Sequence, residues 1–163
     1  METEILQLSA QIGVRLTALG AKVTCAESCT GGWIAKSITD VAGSSGWFDY
    51  GFVTYSNQAK QRLIGVSEET LALYGAVSEQ TVREMAQGAL CVAGADYALS
   101  VSGIAGPDGG SDEKPVGTVW FGWCDKHGNR LTREMLFLGD RHAVRLQAVR
   151  FALQILLDGF LQK

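Results

Sequence analysis

The chain has 163 residues, enough for one globular domain that buries roughly 70% of its unfolded surface, so a single domain over 1–163 is expected, with no need of disulfide staples. With 14 basic against 17 acidic side chains the net charge is −3, and no Lys/Arg run could neutralise a row of phosphates, which argues against nucleic acid as a partner. No apolar stretch reaches the ~20 residues of a membrane span and METEILQLSA lacks a basic n-region, so the expected location is cytoplasmic, with no membrane partner.

Ile5, Leu8, Ile12, Leu16 and Leu19 fall on one helical face and Gly20 follows, which predicts an amphipathic first helix with a glycine stop. Residues 22–26 read as a short strand, 27–32 as a tight turn, and the stretch to about Thr39 as a helix closed by the return loop Gly43-Ser44-Ser45-Gly46. A second strand is expected over 48–54. Asn57 is the expected cap of a helix that carries Lys60 and ends near Gly65, and Ser67 and Ser78 look like two further caps. The helix after Ser78 shows Val82, Met85 and Ala89 on one face and leads into an apolar strand at 97–101, then a glycine-rich loop from Ser102 to Gly117. VGTVWFGW and RLTREMLF flank Lys126-His127-Gly128-Asn129, the spacing of an antiparallel hairpin. Gly139-Asp140 precedes a closing helix whose buried face is Val149, Ala152, Leu153, Leu156 and Phe160. Strands and helices that alternate and then end in a hairpin predict an α/β fold, a three-layer α/β/α sandwich around a mixed sheet of about five strands.

Ligands of an open α/β sheet bind beyond the carboxyl ends of its parallel strands, where helix N-termini and loop amides converge. The loops at 27–32, 55–60 and 102–117 qualify. They hold hydroxyls, a tyrosine–lysine pair and glycines that let backbone N–H groups approach an anion, which suits a hydrolase of a phosphorylated small molecule. GIAGPDGG has neither the Walker spacing nor that of a dinucleotide loop. Ser28 could stand exposed on a sharp turn with amides nearby for an oxyanion; the commoner use of Ser28 or Thr30 there is to cap the next helix. Lys60 is by type a solvated surface charge, and serves as a general base only if burial or cationic neighbours lower its pKa. Neither His127 nor His142 is placed to replace it. Arg141 could clamp a phosphate bidentately or pair with Asp140 or Asp158. Cys25 and Cys29 read as small buried thiols. Four cysteines without a CxxC pair and two histidines give no structural metal site, and Asp108, Asp112 and Glu113 read as solvated loop acids.

AESCTGG at 26–32, GSS at 43–45, YSNQAK at 55–60 and SGIAGPDGGSDEKPVGTV at 102–119 together resemble the CinA C-terminal domain family, in order and over nearly the whole chain. The resemblance implies hydrolysis of the carboxamide of nicotinamide mononucleotide to nicotinate mononucleotide and ammonia, a step in recycling pyridine nucleotides. It implies a serine hydrolase mechanism with no metal or organic cofactor. It carries the active-site positions onto Ser28, Ser45, Tyr55, Lys60, Ser102 and Arg141, with Ser102 standing where many relatives have threonine. Lys60 is then expected to deprotonate the serine, with Tyr55 tuning it or orienting the carboxamide. Thr30, Gly31, Gly32, Ser102 and Gly103 would bind substrate, the amides near Gly31 and Gly103 would stabilise the oxyanion, and Arg141 would hold the phosphate.

Both Ser28 and Ser45 are candidate nucleophiles. Ser45 precedes the second strand while Lys60 follows it, and seven strand residues span about 23 Å, which ranks Ser28 first. Ser45 reaches the site if that strand is shorter, if Gly51 bends it, or if a second subunit of a homo-oligomer presents the GSS loop. Two other classes compete: a nucleotide-binding regulatory module without turnover, against which the intact Ser28, Ser45, Tyr55 and Lys60 argue, and a DNA-related interaction protein, which the acidic balance does not support. The pyrophosphate hydrolysis associated with an additional N-terminal domain in larger family members is not expected of this chain.

Overall fold

A computed structural model describes residues 1–162. Helix α1 (Glu2–Leu19) buries Ile5, Leu8, Ile12 and Leu16 and stops at Gly20, whose left-handed backbone (φ 62) turns its N–H back onto the last helical carbonyls. Leu19, expected on the buried face, lies past that stripe and is exposed. The chain then enters β1 (Val23–Glu27), passes through a turn into α2 (Trp33–Thr39), and returns through a 3-10 turn (Ser44–Gly46) to β2 (Phe48–Val53). Three helices follow, α3 (Asn57–Ile64), α4 (Glu68–Tyr74) and α5 (Glu79–Ala93), before β3 (Tyr97–Gly103), the hairpin β4 (Thr118–Asp125) and β5 (Arg130–Leu136), and α6 (Arg141–Ile155), which runs on into a π-helical end (Leu156–Leu161).

The five strands form one sheet in the order β2-β1-β3-β4-β5. β1 pairs in parallel with β2 and β3, while β4 and β5 add antiparallel partners, so the sheet is mixed, as predicted. Strand alternation sorts side chains to the two faces. Val23, Cys25, Leu99, Val101, Phe121 and Trp123 join the core made with α1, α2 and α6. Ala26 joins Ile64, Val66, Leu71, Val82, Met85 and Ala89 on the opposite face, under α3, α4 and α5. The result is the predicted α/β/α sandwich. α3 and α5 touch so closely that a Cβ at Gly88 would overlap the Ile64 carbonyl oxygen.

Two local expectations are corrected. Ser56, not Asn57, caps α3: it is extended and its Oγ accepts from the Ala59 N–H at 3.0 Å, while Asn57 is the first helical residue. β3 runs two residues further than the apolar run, because Ser102 and Gly103 still pair with Trp120 and Val119, so these two residues belong to the strand end rather than to a loop. Ser67 and Ser78 do cap α4 and α5, accepting from Thr70 and Thr81.

Candidate active site

The carboxyl ends of β1, β2 and β3 stay in register because the Ser28 N–H donates to the Val101 carbonyl at 3.0 Å and the Thr54 N–H to the Glu27 carbonyl at 2.8 Å. Beyond them lies a cleft of about 320 Å³, within the range of small-ligand sites, whose walls include Ser28, Tyr55, Lys60, Ser102, Gly103 and Arg141. Six of the ten residues expected at the site therefore meet there. A larger depression of about 680 Å³ lies between the start of α1 and α2, but its charged groups include the Lys36–Asp40 pair, closed on itself at 2.7 Å, and it contains no nucleophile with a base beside it.

Lys60 overturns the expectation for its residue type. It stands in the first turn of α3 and is 1% exposed, with its amine turned onto the chain that leaves β2. Its Nζ donates to Ser28 Oγ at 3.0 Å, to the Thr54 carbonyl at 2.9 Å and to the Tyr55 carbonyl at 3.2 Å. No carboxylate among the described residues touches it. Burial penalises the ammonium and lowers its pKa from 10.5 to about 8, with the neighbouring Cys29, itself pushed up to about 12 by burial, acting in the opposite direction. Near neutral pH a useful fraction of Lys60 is a free amine within hydrogen-bond reach of the serine, which is the requirement for a general base. The Ser28 hydroxyl also donates to the Tyr55 carbonyl at 3.4 Å, a long bond that a rotation toward Lys60 would break at little cost.

Neither Ser28 nor Thr30 caps α2. Gly32 occupies the cap position, and Glu27, wholly buried at the end of β1, reaches over the turn: its Oε1 accepts from the Ile34 N–H at 2.8 Å and its Oε2 from the Ala35 N–H at 3.0 Å. Thr30 Oγ1 donates to the same carboxylate at 2.6 Å. Burial raises the Glu27 pKa, and these three donors partly offset that. The Thr30 hydroxyl is thus committed to holding Glu27. The Gly31 N–H, expected at the oxyanion, donates instead to the Ser28 carbonyl at 3.1 Å, and the amides of Cys29 and Thr30 are the ones in this turn that form no hydrogen bond to another residue among the described residues. Thr30, Gly31 and Gly32 line a second depression on the far side of the turn, together with Trp33, Lys36 and Arg145, and not the cleft itself.

Arg141 pairs with neither Asp140 nor Asp158. Asp140 caps α6, and the Arg141 guanidinium donates to the Gly106 carbonyl at 2.9 Å and to the Tyr55 hydroxyl at 3.3 Å, at the mouth of the cleft. Tyr55 is 61% exposed there. Ser102 is buried at the end of β3, and its hydroxyl makes no hydrogen bond among the described residues, so it is available to a ligand. Ser45 sits in the 3-10 turn at the opposite end of β2, exposed, and is not a wall of the cleft. Cys25 and Cys29 are buried free thiols. Glu27 and Arg145 were missed from sequence, since Glu27 caps residues seven and eight positions on and Arg145 meets the turn from more than 100 residues away.

These features define a class: a small α/β domain with a buried serine–lysine pair at the carboxyl ends of its parallel strands and an arginine at the cleft mouth. The chain belongs to the CinA C-terminal domain family, whose sequence profile matches residues 5–160. It is 65% identical over 161 residues, 99% of this chain and 98% of the relative, to the nicotinamide-nucleotide amidohydrolase PncC of Escherichia coli (strain K12). It is 52% identical, over 97% of this chain and 96% of the relative, to the protein of the same name from Pseudomonas putida. Among solved structures, the competence/damage inducible protein CihA of Agrobacterium tumefaciens superposes with a TM-score of 0.93 at 49% identity, covering 94% of both chains.

Proposed function

We propose that this chain hydrolyses the carboxamide of nicotinamide mononucleotide to nicotinate mononucleotide and ammonia, with Ser28 as nucleophile and Lys60 as general base. One observation carries the mechanism: an almost wholly buried lysine amine 3.0 Å from a serine hydroxyl, with no acid among the described residues to hold its proton. The names of the Escherichia coli and Pseudomonas putida relatives support the choice of substrate.

Neutral Lys60 takes the Ser28 proton as Oγ bonds to the carboxamide carbon, and the carbonyl electron pair moves onto oxygen. The resulting Lys60 ammonium protonates the departing nitrogen, the C–N bond breaks, and ammonia leaves an ester on Ser28. Water then attacks that ester, gives its proton through Lys60 to the Ser28 oxygen, and releases the carboxylate. Arg141 at the cleft mouth binds the phosphate, Ser102 offers its free hydroxyl to the substrate, and Tyr55 holds the Arg141 guanidinium. The steps need no metal or organic cofactor. A cytoplasmic location, and a homo-oligomer in which a second subunit could present Ser45, belong to the same proposal.

Ammonia release from nicotinamide mononucleotide by the purified chain, with and without a chelator, tests it. Ser28→Ala and Lys60→Ala should each lose roughly a thousandfold or more, while Ser45→Ala stays within a few-fold of wild type and the chelator changes nothing. Loss in Ser45→Ala alone would move the nucleophile. Folded wild-type protein without turnover would leave a nucleotide-binding module.

A further inference from the structure

The guanidinium of Arg145, one turn into α6, lies against the turn that carries Ser28, on the face away from the cleft. Its Nε donates to the Cys29 carbonyl and its NH2 to the Thr30 carbonyl, each at 3.1 Å. It is stacked 5.6 Å over the Trp33 ring, and a Cβ at Gly31 would come within 3.3 Å of it. Two successive carbonyls are thus held by one rigid cation.

A trans peptide points its N–H opposite to its C=O. Gly31 shows this directly, because with the Thr30 carbonyl turned to Arg145 its own N–H faces the other way and donates to the Ser28 carbonyl. One peptide earlier the same logic turns the Thr30 N–H away from Arg145, toward the side where Ser28 and Cys29 line the cleft. That N–H has no partner among the described residues. A cation on the carbonyl also draws electron density from the amide, which makes it a better donor.

We propose that Arg145 is a positioning residue that aims and polarises the Thr30 N–H as an oxyanion donor for the reaction at Ser28. The inference rests on the proposed serine mechanism but not on the identity of the substrate. Arg145 touches neither Ser28 Oγ nor Lys60, so its effect falls on the transition state and leaves the base alone.

The test uses the full chain as wild type, Arg145→Gln and Arg145→Lys, with two readouts. The first is steady-state ammonia release from nicotinamide mononucleotide between about pH 6 and about pH 10. Arg145→Gln should lower kcat by about 10- to 100-fold, with KM within about threefold and the acidic limb of the profile unmoved. Arg145→Lys, which can hold one carbonyl but not both in the planar fork, should recover part of the loss. The second readout is the rate at which a fluorophosphonate labels Ser28, followed by intact mass. There the Ser28 Oγ–P bond forms, fluoride leaves, the proton passes to Lys60, and the phosphoryl oxygen occupies the oxyanion position. Labelling should slow by a similar factor in Arg145→Gln. Slowed labelling with no ammonia release from wild type would keep this inference and remove the substrate assignment. Labelling at the wild-type rate, a KM rise equal to the whole kcat/KM loss, or a shifted acidic limb would overturn it. If Arg145→Gln does not fold, Arg145→Lys decides alone: wild-type kcat and wild-type labelling in that variant refute the role. Absence of both labelling and turnover in folded wild type refutes it as well.

Discussion

Replacing Lys60 by methionine should stabilise the fold near neutral pH while abolishing turnover, because the protein holds this side chain where a charge is poorly solvated. A lysine in the unfolded chain keeps its proton up to about pH 10.5, whereas folded Lys60 releases it near 8. Between those values the unfolded chain binds more protons than the folded one, so stability rises with pH through that window, and below about pH 8 the full penalty applies. Lowering the pKa from 10.5 to about 8 corresponds to about 3 kcal/mol of unfavourable charge burial. Methionine fills a similar volume but gives the Thr54 and Tyr55 carbonyls no donor, a loss of about 1–2 kcal/mol. The net gain at pH 7 is then about 1–2 kcal/mol, or about 3–6 °C in Tm for a chain of this size. Urea unfolding of both proteins at about pH 7 and about pH 9.5 measures it, and the advantage of the variant should shrink or reverse at the higher pH. A variant less stable than wild type at pH 7, or an advantage that does not change with pH, would refute the claim that Lys60 is held against its charge.

Three further outcomes follow from the same geometry. In wild type, kcat/KM for ammonia release should rise with pH along an acidic limb with an apparent pKa near 8, as the Lys60 amine becomes free; a flat profile between about pH 6 and 9 would exclude Lys60 as the base. Glu27→Ala should leave the Ile34 and Ala35 amides without acceptors and cost about 2–4 kcal/mol in urea unfolding, with partial loss of turnover because the Ser28 turn loosens. Gly88→Ala should cost more than about 2 kcal/mol in urea unfolding because the new methyl has only backbone to displace, and kcat should fall as well, since that backbone is the Ile64 end of α3, the helix that carries Lys60.

Hydrophobic period and turn residues were enough to read α1, the hairpin, the serine caps of α4 and α5 and the three layers, since each depends on contacts a few residues apart or on which face of an element is apolar. The motif-bearing loops were also legible as sites, because parallel strands followed by glycine and hydroxyl residues must gather at one end of the sheet. The roles within those loops were not. Lys60 reads as a surface charge, and only the tertiary packing around α3 makes it a buried amine beside Ser28. Thr30 and Gly31 read as substrate contacts, yet Glu27 takes up the Thr30 hydroxyl and the turn itself takes up the Gly31 N–H.

What the sequence by itself determined is the layer architecture and the set of chemical groups, because both follow from residue type and short-range spacing. Only the tertiary structure decided which groups act on one another. Ser28 and Lys60 are 32 residues apart and Arg145 meets the Cys29 carbonyl across 116, and whether such distant groups meet, and in what dielectric, is set by how the strands pair and the helices pack over them. Ser45 shows the same dependence in reverse: the family resemblance put it among the site residues, but β2 separates it from Lys60 within one chain.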